Sequence, residues 1–481
     1  MAFSSIIFLF YFLPLFLLAY LALPAARMWV IIAGSVLFYA WGEPFYLGLL
    51  LLFIVMNWWL GLRLERAPPA LARALLVLGV GANLLLLGGF KYTGFLLTQL
   101  DALLHGLGLP ALPVPSIPLP LGISFFAFQG ISYLMDIRRR EVAAQPSLAK
   151  FAMYKTMFPQ LIAGPILRYR QIAHEIGDRR IDPARFRLGI ELFIAGLAQK
   201  VLIANTVALP ADQVFALPPG SLTAATAWLG AVCYMVQIFF DFSGYTTMAI
   251  GLGHMLGFSL PPNFNRPYAA RSVTDFWRRW HMSLSSWFRD YLYIPLGGNR
   301  HGPWRTYANL LAVFALCGLW HGAAWTFLAW GLYHGLFLIL ERAAGRSPAL
   351  AAWGARVPAP LRHAYLLLVV LAGWVVFRAD TLPHAGQVLA AMAGFGTGGA
   401  DALPVAFYAP ASVWTALGAA VLMVLWKRDP ARWTAAAAGT PRSERGDLRL
   451  ALRFAGGAVL LAVSAAVLAA GTHNPFIYFR F

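Results

Sequence analysis

Long apolar stretches recur along this chain of 481 residues and alternate with short loops that carry most of the charge. A helix needs about 20 consecutive apolar residues to cross the hydrocarbon layer of a bilayer. The stretches that approach this length are 3–24, 28–42, 45–61, 74–90, 221–240, 307–340, 364–377, 411–426 and 454–471. The longest of them, 307–340, has room for two helices. The pattern therefore predicts an all-α polytopic membrane protein with about ten spans.

Four less purely apolar segments predict either further spans or re-entrant pieces. They lie near 120–135, 150–168, 189–204 and 242–260. The first stretch, 3–24, has no basic residues before it and is longer than the apolar part of a secretory leader. We therefore expect it to be a retained helix.

Composition supports the membrane assignment. The chain is 60% hydrophobic and 12% charged, whereas soluble domains carry about 25% charged residues. The net charge of +18 comes from Arg and Lys in loops, which is typical of cytoplasmic loops that meet anionic lipid headgroups. We therefore expect a bilayer and no nucleic acid as partner. An internal 62–73 loop would place the N-terminus outside.

The 262–306 segment has a different pattern from the other loops. Aromatic and apolar residues recur at helical spacing from Trp277 to Phe288, and arginines such as Arg278 occupy the other side. The spacing predicts an amphipathic, interfacial or re-entrant helix, which ends at a turn containing Pro295 and the following glycines. No long soluble domain or internal repeat is visible, so we expect one integral-membrane domain over 1–481. The 427–453 piece is predicted to be a loop.

His321 is the strongest candidate for chemistry, because it lies within the apolar stretch 307–340. Ionisable residues at membrane depth are costly, and they usually face a cavity or the bundle interior. Gly318 and Gly322 flank it as G-x-x-x-G, a spacing that allows close approach of a neighbouring helix or substrate. A neutral imidazole in such a cavity can act as a general base towards a hydroxyl group. The alternative is a histidine that only packs.

His281 and His334 are weaker candidates. Helical spacing would place Arg278, His281 and Ser285 on one face, where His281 would be a second polar group at the mouth of a tunnel. The alternative for His281 is contact with lipid headgroups. His334 is expected on a separate span, where a packing role is favoured.

Further polar or aromatic residues are candidates for lining a tunnel or binding substrate. They are Gln237, Asp241, Ser243, Tyr245, Arg278, Ser285 and Trp320. A carboxylate at Asp241 would either orient a histidine, line a cavity or face water at the interface. Motifs typical of serine hydrolases, zinc proteases and P-loop ATPases are absent from the sequence, and no metal ligand is proposed. The two cysteines, Cys233 and Cys317, lie in apolar segments and are expected in the core.

An ordered set of motifs resembles the membrane-bound O-acyltransferase family, in the bacterial branch that includes the membrane subunit of alginate O-acetyltransferases. The motifs include F-Y-A-W-G-E-P (38–44), P-L-G-I-S-F-F-A-F-Q (120–129), F-P-Q-L-I-A-G-P-I-L-R (158–168), D-F-S-G-Y (241–245), W-R-R-W-H (277–281), P-L-G-G-N-R (295–300), L-W-H-G-A-A-W (319–325), W-V-V-F-R-A (374–379) and N-P-F-I-Y-F-R-F (474–481). The resemblance covers nearly the whole chain.

The resemblance implies a ring of tilted helices around a central tunnel, with His321 as the active-site histidine and His281 as the second one. It implies an acyl thioester, such as acetyl-CoA, as donor substrate and no bound cofactor. It also implies periplasmic partner proteins, a polysaccharide acceptor and a bacterial inner-membrane location with a periplasmic N-terminus. Peptidoglycan O-acetylation, D-alanyl transfer to teichoic acid, and non-enzymatic transport of an acyl group are the alternatives.

Overall fold

The computed structural model describes residues 1–396, 398–399, 402–426, 447–471 and 474–475. Within these ranges the regular secondary structure is helical throughout. Most of the loop predicted for 427–453 lies outside the described residues, and its last part belongs to the helix Asp447–Ala470. The 476–481 part of the terminal motif also lies outside them.

Six helices in the described part of the chain are long and apolar enough to cross a membrane. They are Leu47–Arg66, Pro69–Lys91, Pro183–Phe215, Ala224–Met255, Ala359–Arg378 and Ala451–Ala470. A seventh candidate is the pair Phe8–Ala22 and Pro24–Ala40, which is bent by 108° where Pro24 interrupts the helix. These are fewer than the ten or so spans that the apolar stretches predict, because 3–24 and 28–42 form one bent pair, Ala411–Leu425 is shorter than a span, and the two helices within 307–340 are not among the candidates. The chain is thus an all-α multi-pass membrane protein.

The chain divides into two compact units, and the prediction of a single domain stays a prediction. The first unit is Met1–Ile190 with Ala249–Pro261, and the second is Glu191–Met248 with Pro262–Phe481. The remaining helices that begin in the first unit are Thr93–Gly106, Ile123–Arg138, Leu148–Thr156, Phe158–Leu161 and Tyr169–Gly177.

The core of the first unit buries a pair of amides between three helices. Asn57 and Asn83 donate hydrogen bonds to each other's side-chain oxygens at 2.9 and 3.2 Å. A Cβ on Gly130 would lie 2.6 Å from both of those oxygens. Gly130 belongs to the helix Ile123–Arg138, which can cover the amide pair only because this residue is glycine. The two amides hydrogen-bond each other away from water.

The second unit contains the residues predicted to carry chemistry. After Ala224–Met255, its helices of seven or more residues are Met282–Phe288, Gly302–His321, Trp325–Arg346, Pro348–Arg356, Ala359–Arg378, Leu382–Ala390, Ala411–Leu425 and Asp447–Ala470. Cys233 and Cys317 are both buried in it as free thiols.

The predicted stretch 307–340 forms two helices that pack closely, here named the His321 helix (Gly302–His321) and the His334 helix (Trp325–Arg346). A Cβ on Gly318 would lie 2.2 Å from the carbonyl oxygen of Phe327, and a Cβ on Gly331 would lie 2.2 Å from that of Phe314. The two backbones therefore touch at these glycines. Close approach at Gly318, expected from the sequence, is confirmed, with Gly331 as its partner.

The prediction of one continuous amphipathic helix after residue 262 is wrong. The helix Val273–Trp277 ends, and a second helix, Met282–Phe288, begins after His281. His281 has φ +44°, in the left-handed region, so the helical path cannot continue through it. The turn predicted after Pro295 is present, with positive φ at Gly297 and Gly298.

Replacing Gly318 with Ala should destabilise the protein. The added methyl group would meet a carbonyl oxygen of the His334 helix, and overpacking of this kind costs about 1–3 kcal/mol. The midpoint of thermal unfolding in detergent measures the loss. Gly345→Ala is the matched control, because no atom lies within 4 Å of its added Cβ, and helix propensity favours Ala by about 1 kcal/mol. Equal midpoints for the two variants would contradict the close crossing.

Candidate active site

His321 is the last residue of its helix and lies at the turn between the two helices of the pair. The chain becomes extended directly after it, with φ −164° and ψ 151° at Gly322. A Cβ on Gly322 would lie 2.0 Å from the Phe327 ring, so this turn requires glycine. The helix therefore ends at the histidine, and the His321 side chain is buried at the junction rather than in mid-helix.

Aromatic rings enclose the His321 imidazole. The ring centroids of Trp320, Trp330 and Phe377 lie 4.9, 5.2 and 5.2 Å from that of His321, at interplanar angles of 77–88°. Trp374 stacks on Trp330 behind this first layer, at 5.9 Å. Edge-to-face packing of this kind holds a ring in a defined orientation, so the imidazole is surrounded by apolar surface on several sides.

The backbone around His281 is held by Asn263. The carbonyl oxygen of Asn263 accepts a hydrogen bond from the Met282 N–H at 2.9 Å, and its side-chain oxygen accepts one from the Ser283 N–H at 3.2 Å. These bonds fix the residues that follow His281 and so stabilise its left-handed conformation.

The His281 ring is almost fully buried. Its centroid lies 4.7 Å from that of Phe242, perpendicular to it, and 6.0 Å from that of Trp320. Neither ring nitrogen has a hydrogen-bond partner among the described residues. Burial lowers the pKa of His281 from its usual 6.5 to about 3, so the imidazole is neutral near pH 7.

The two candidate histidines meet, although 40 residues separate them in sequence. Their ring centroids are 6.4 Å apart, and Trp320 contacts both rings. Buried polar atoms without a protein partner are uncommon and often mark sites of function. Together the two rings offer acceptor and donor nitrogens inside an apolar enclosure, an arrangement suited to moving a proton to or from a bound hydroxyl group.

His334 lies on the second helix of the pair, as the sequence predicts, and it is fully buried. Trp330 separates it from His321, because the Trp330 centroid is 5.2 Å from His321 and 5.3 Å from His334. Gly373 makes room for it, since a Cβ there would lie 2.5 Å from its Nε2. These contacts are those of a packed side chain. The ring nitrogens of His334 have no hydrogen-bond partner among the described residues, as in His281, so the distinction between the two rests on the contact of His281 with His321.

Asp241 forms an ion pair with Lys200. The Lys200 Nζ lies 2.7 Å from the Asp241 carboxylate, and the two side chains are 1% and 2% exposed. Lys200 also donates to the Asn205 side chain at 3.0 Å and to the Pro475 carbonyl. The apolar stretch 221–240 predicts a span that ends just before Asp241, and this is wrong, because Asp241 lies inside the helix Ala224–Met255. Its partner is a lysine and not a histidine.

Two glycines allow the helices that carry this ion pair to approach closely. A Cβ on Gly196 would lie 2.5 Å from the Gly244 carbonyl oxygen, and a Cβ on Gly244 would lie 2.7 Å from that of Gly196. The two long helices therefore touch there, one turn from Lys200 and Asp241. Ser243 lies next to Gly244 at this crossing, and its hydroxyl donates to the Gln199 side chain at 3.4 Å.

The D-F-S-G-Y motif thus serves two sides of its helix. Asp241 and Ser243 contact the helix that carries Lys200, whereas Phe242 contacts the His281 ring. Gln237 and Tyr245 are buried on this helix, and their role in substrate binding stays a prediction. Among the predicted residues, the structure brings His281, Trp320 and His321 together.

Arg278 and Ser285 do not share a face with His281 as predicted, because the helix is broken between them. Arg278 is exposed and lines a separate cavity. The Ser285 hydroxyl donates to the Trp280 carbonyl at 3.3 Å. This bond links the helix Met282–Phe288 to the residue that precedes His281. The left-handed conformation at residue 281 could not be predicted from the sequence, since residues other than glycine adopt it uncommonly.

Sequence reasoning missed four residues around the histidines: Phe242, Trp330, Trp374 and Phe377. Phe242, Trp374 and Phe377 belong to motifs named in the sequence analysis. Aromatic residues are so frequent in this chain that none of the four stood out. Lys200, the partner of Asp241, was also missed, because its contact depends on a crossing between two distant segments.

The neutral His281 should make stability depend on pH. Its pKa is lowered in the folded protein, so its contribution is complete above about pH 6.5 and is lost as the pH falls towards 3. The loss approaches about 1.4 kcal/mol per pH unit for one histidine. When the pH is lowered from 7 to 5, the unfolding midpoint in detergent should fall less for His281→Gln than for the unchanged protein. The exposed His105→Gln control should follow the unchanged protein, and an identical decrease in all three would contradict the assignment.

Removing one member of the Lys200–Asp241 pair should be worse than removing both. Asp241→Asn leaves a buried lysine without its counter-ion, which costs about 3–5 kcal/mol, whereas an apolar replacement of both partners is often neutral. We expect Asp241→Asn to lose folded protein in size-exclusion chromatography and Lys200→Met with Asp241→Leu to recover most of it. A double variant as unstable as the single one would contradict the unpaired lysine as the cause of the loss.

Comparison with known proteins identifies the family. The pattern of MBOAT, the membrane-bound O-acyltransferase family, matches residues 121–377, a range that contains both candidate histidines and the Lys200–Asp241 pair. The chain is 46% identical to the probable alginate O-acetylase AlgI of Azotobacter vinelandii over 383 residues, which cover 79% of this chain and 75% of the relative.

Two other relatives differ in their named substrates. The peptidoglycan O-acetyltransferase of Helicobacter pylori is 38% identical over 412 residues, covering 78% of this chain and 77% of the relative. The teichoic acid D-alanyltransferase of Bacillus subtilis is 32% identical over 237 residues, covering 45% of this chain and 58% of the relative. The resemblance seen in the motifs is confirmed: the chain belongs to the membrane-bound O-acyltransferase family and is a multi-pass membrane enzyme that transfers acyl groups to oxygen.

Proposed function

We propose that the protein transfers an acetyl group from a cytoplasmic thioester, such as acetyl-CoA, for the O-acetylation of an exported, alginate-like polysaccharide. The observation that carries the proposal is the buried pair His281 and His321, with ring centroids 6.4 Å apart inside an aromatic enclosure. The pair lies in the part of the chain that matches the acyltransferase family. The similarity to an alginate O-acetylase over 79% of the chain supports the choice of acyl group and polymer.

His321 is proposed as the general base. Its imidazole takes the proton of the acceptor hydroxyl while the hydroxyl oxygen attacks the carbonyl carbon of the thioester. A carbon–oxygen bond forms, the carbon–sulfur bond breaks, and the leaving thiolate takes the proton from the imidazolium. The products are an acetyl ester and a thiol, and the histidine returns to its neutral form.

His281 is proposed as the second polar group of the site. Its ring nitrogens have no partner among the described residues, so a bound hydroxyl or carbonyl oxygen would satisfy one of them. The left-handed backbone at His281, and the hydrogen bonds that Asn263 accepts from the next two residues, hold the ring towards Trp320 and His321. Gln237, Ser243, Tyr245 and Trp320 complete the proposed set of residues that line the path of the substrates.

The direction of transfer follows from the proposed location. The protein would lie in a bacterial inner membrane with its N-terminus in the periplasm and its basic 62–73 loop in the cytoplasm. This orientation requires that the bent pair Phe8–Ala22 and Pro24–Ala40 is a re-entrant loop, so that Leu47–Arg66 is the one span between the N-terminus and that loop. The donor would reach His321 from the cytoplasm, and the acceptor hydroxyl would come from the periplasmic side. That hydroxyl would belong to the polysaccharide or to a periplasmic partner protein that passes the acetyl group on.

His321→Gln should abolish acetylation while the protein stays folded in the membrane. Loss of a general base lowers rates by about 10²–10⁴-fold, so the acetyl content of the polymer should fall to the level of a deletion strain. The measurement is the ester acetyl released by mild alkali per sugar residue, in a deletion strain that carries each variant at equal membrane abundance.

His334→Gln is the matched control for that experiment. Aromatic rings also surround His334, but Trp330 separates it from His321. We expect less folded protein but retained acetylation per folded molecule. Normal acetylation with His321→Gln would overturn the assignment of the base. An His321→Gln protein that still carried acetyl groups across a vesicle membrane without forming an ester would favour transport.

Peptidoglycan is the second candidate acceptor, because the similarity to a peptidoglycan O-acetyltransferase covers 78% of the chain. The two acceptors carry hydroxyl groups on different polymers, so ester acetyl can be measured separately in exopolysaccharide and in purified cell wall from deletion and complemented strains. Loss confined to the cell wall would replace the alginate-like acceptor by peptidoglycan.

A further inference from the structure

A basic cavity lies on the second unit, apart from the His321 enclosure. It has a volume of about 850 Å³ and is partly open. Four arginines line it, namely Arg271, Arg278, Arg342 and Arg362, together with one carboxylate, Glu341. The proposed acyl transfer assigns no role to this cavity.

Glu341 is held by neutral donors, and no ion pair joins it to the arginines among the described residues. Its carboxylate accepts hydrogen bonds from the Val273 and Thr274 N–H groups, at 2.6 and 2.8 Å, and from the Thr274 hydroxyl at 2.6 Å. It therefore caps the helix Val273–Trp277. Among the described residues, none of the four arginines forms an ion pair, and the Arg362 Nε is buried without a hydrogen-bond partner.

The cavity lies at the end of a candidate membrane span. Arg362 and Tyr365 belong to the first two turns of Ala359–Arg378, which is apolar enough to cross a bilayer. The short helix Pro348–Arg356 precedes that span and exposes Trp353, which also lines the cavity. Tryptophan and tyrosine concentrate at the level of lipid headgroups, where arginine also binds anionic lipid.

The remaining walls are apolar. Leu338, Leu350, Val357 and Leu361 line the cavity beside the arginines, and Leu350 and Leu361 are 52% and 61% exposed. A ligand that matches these walls carries an anionic phosphate at one end and hydrocarbon at the other. Inorganic phosphate would satisfy the arginines but leave the leucines uncovered, whereas a phospholipid would satisfy both.

We propose that this cavity is a binding site for one anionic phospholipid, whose headgroup phosphate is held by Arg342 and Arg362 and whose acyl chains cover the exposed leucines. Arg271 and Arg278 supply further positive charge at the rim. The source of the phosphate is the membrane, and the phosphate groups of a soluble nucleotide-bearing thioester are the competing source.

Native mass spectrometry of the protein released from nanodiscs tests the site. The nanodiscs would contain equal amounts of phosphatidylglycerol and phosphatidylcholine. We expect the unchanged protein to retain phosphatidylglycerol in preference. Arg342→Gln with Arg362→Gln should lower that retention on the order of tenfold or more, since each arginine near anionic lipid contributes about fivefold in affinity.

Arg300→Gln with Arg305→Gln is the matched control, because it removes the same charge from exposed positions that do not line the cavity. It should retain phosphatidylglycerol as the unchanged protein does. Equal loss in both double variants would show a diffuse charge effect and overturn the site. Size-exclusion chromatography confirms that the compared variants are folded.

A competition arm distinguishes the two sources of phosphate. Inorganic phosphate and coenzyme A are added separately to the nanodiscs before analysis. Persistence of bound phosphatidylglycerol supports a lipid site. Replacement of the lipid by coenzyme A at one molecule per protein, abolished by the Arg342 and Arg362 double change, would overturn it in favour of a donor site. The lipid site and the proposed acetyl transfer can fail separately, because retention of lipid does not require catalysis.

Discussion

The His321 helix and the His334 helix approach each other at Gly318 and Gly331, where each glycine lies against a backbone carbonyl of the other helix. This contact places Trp330 against the His321 ring and Phe314 against Trp277. Trp277 in turn contacts His334. The Trp330 side of the enclosure is therefore a consequence of two helices that meet at backbone distance, and Phe377 and Phe242 are added by other helices.

The second constraint on this membrane protein is that its buried polar groups need partners, because no water reaches them. Three cases differ in how far this need is met. Asn57 and Asn83 pair with each other. Lys200 and Asp241 form an ion pair where glycines let two long helices touch. The His281 nitrogens have no partner among the described residues. The first two arrangements pair polar groups of the protein with each other, whereas the third is the one to which we assign a polar substrate.

The break at His281 explains why the segment around it is not an ordinary amphipathic helix. A continuous helix would carry Arg278, His281 and Ser285 along one face. The left-handed turn instead directs His281 into the enclosure and leaves Arg278 on the rim of the basic cavity. One short segment thus contributes to the site proposed for acyl transfer and to the cavity proposed for phospholipid.

The sequence by itself determined the membrane class, the helical architecture and the family, because these depend on apolar length, on composition and on local motifs. It also indicated close packing at Gly318, since small residues at that spacing act locally. The tertiary structure alone decided that His281 leaves the helix, that Asp241 pairs with Lys200, and that Phe377 packs against His321. These features arise from contacts between segments far apart in the chain, and hydrophobic periodicity carries no information about which distant faces meet.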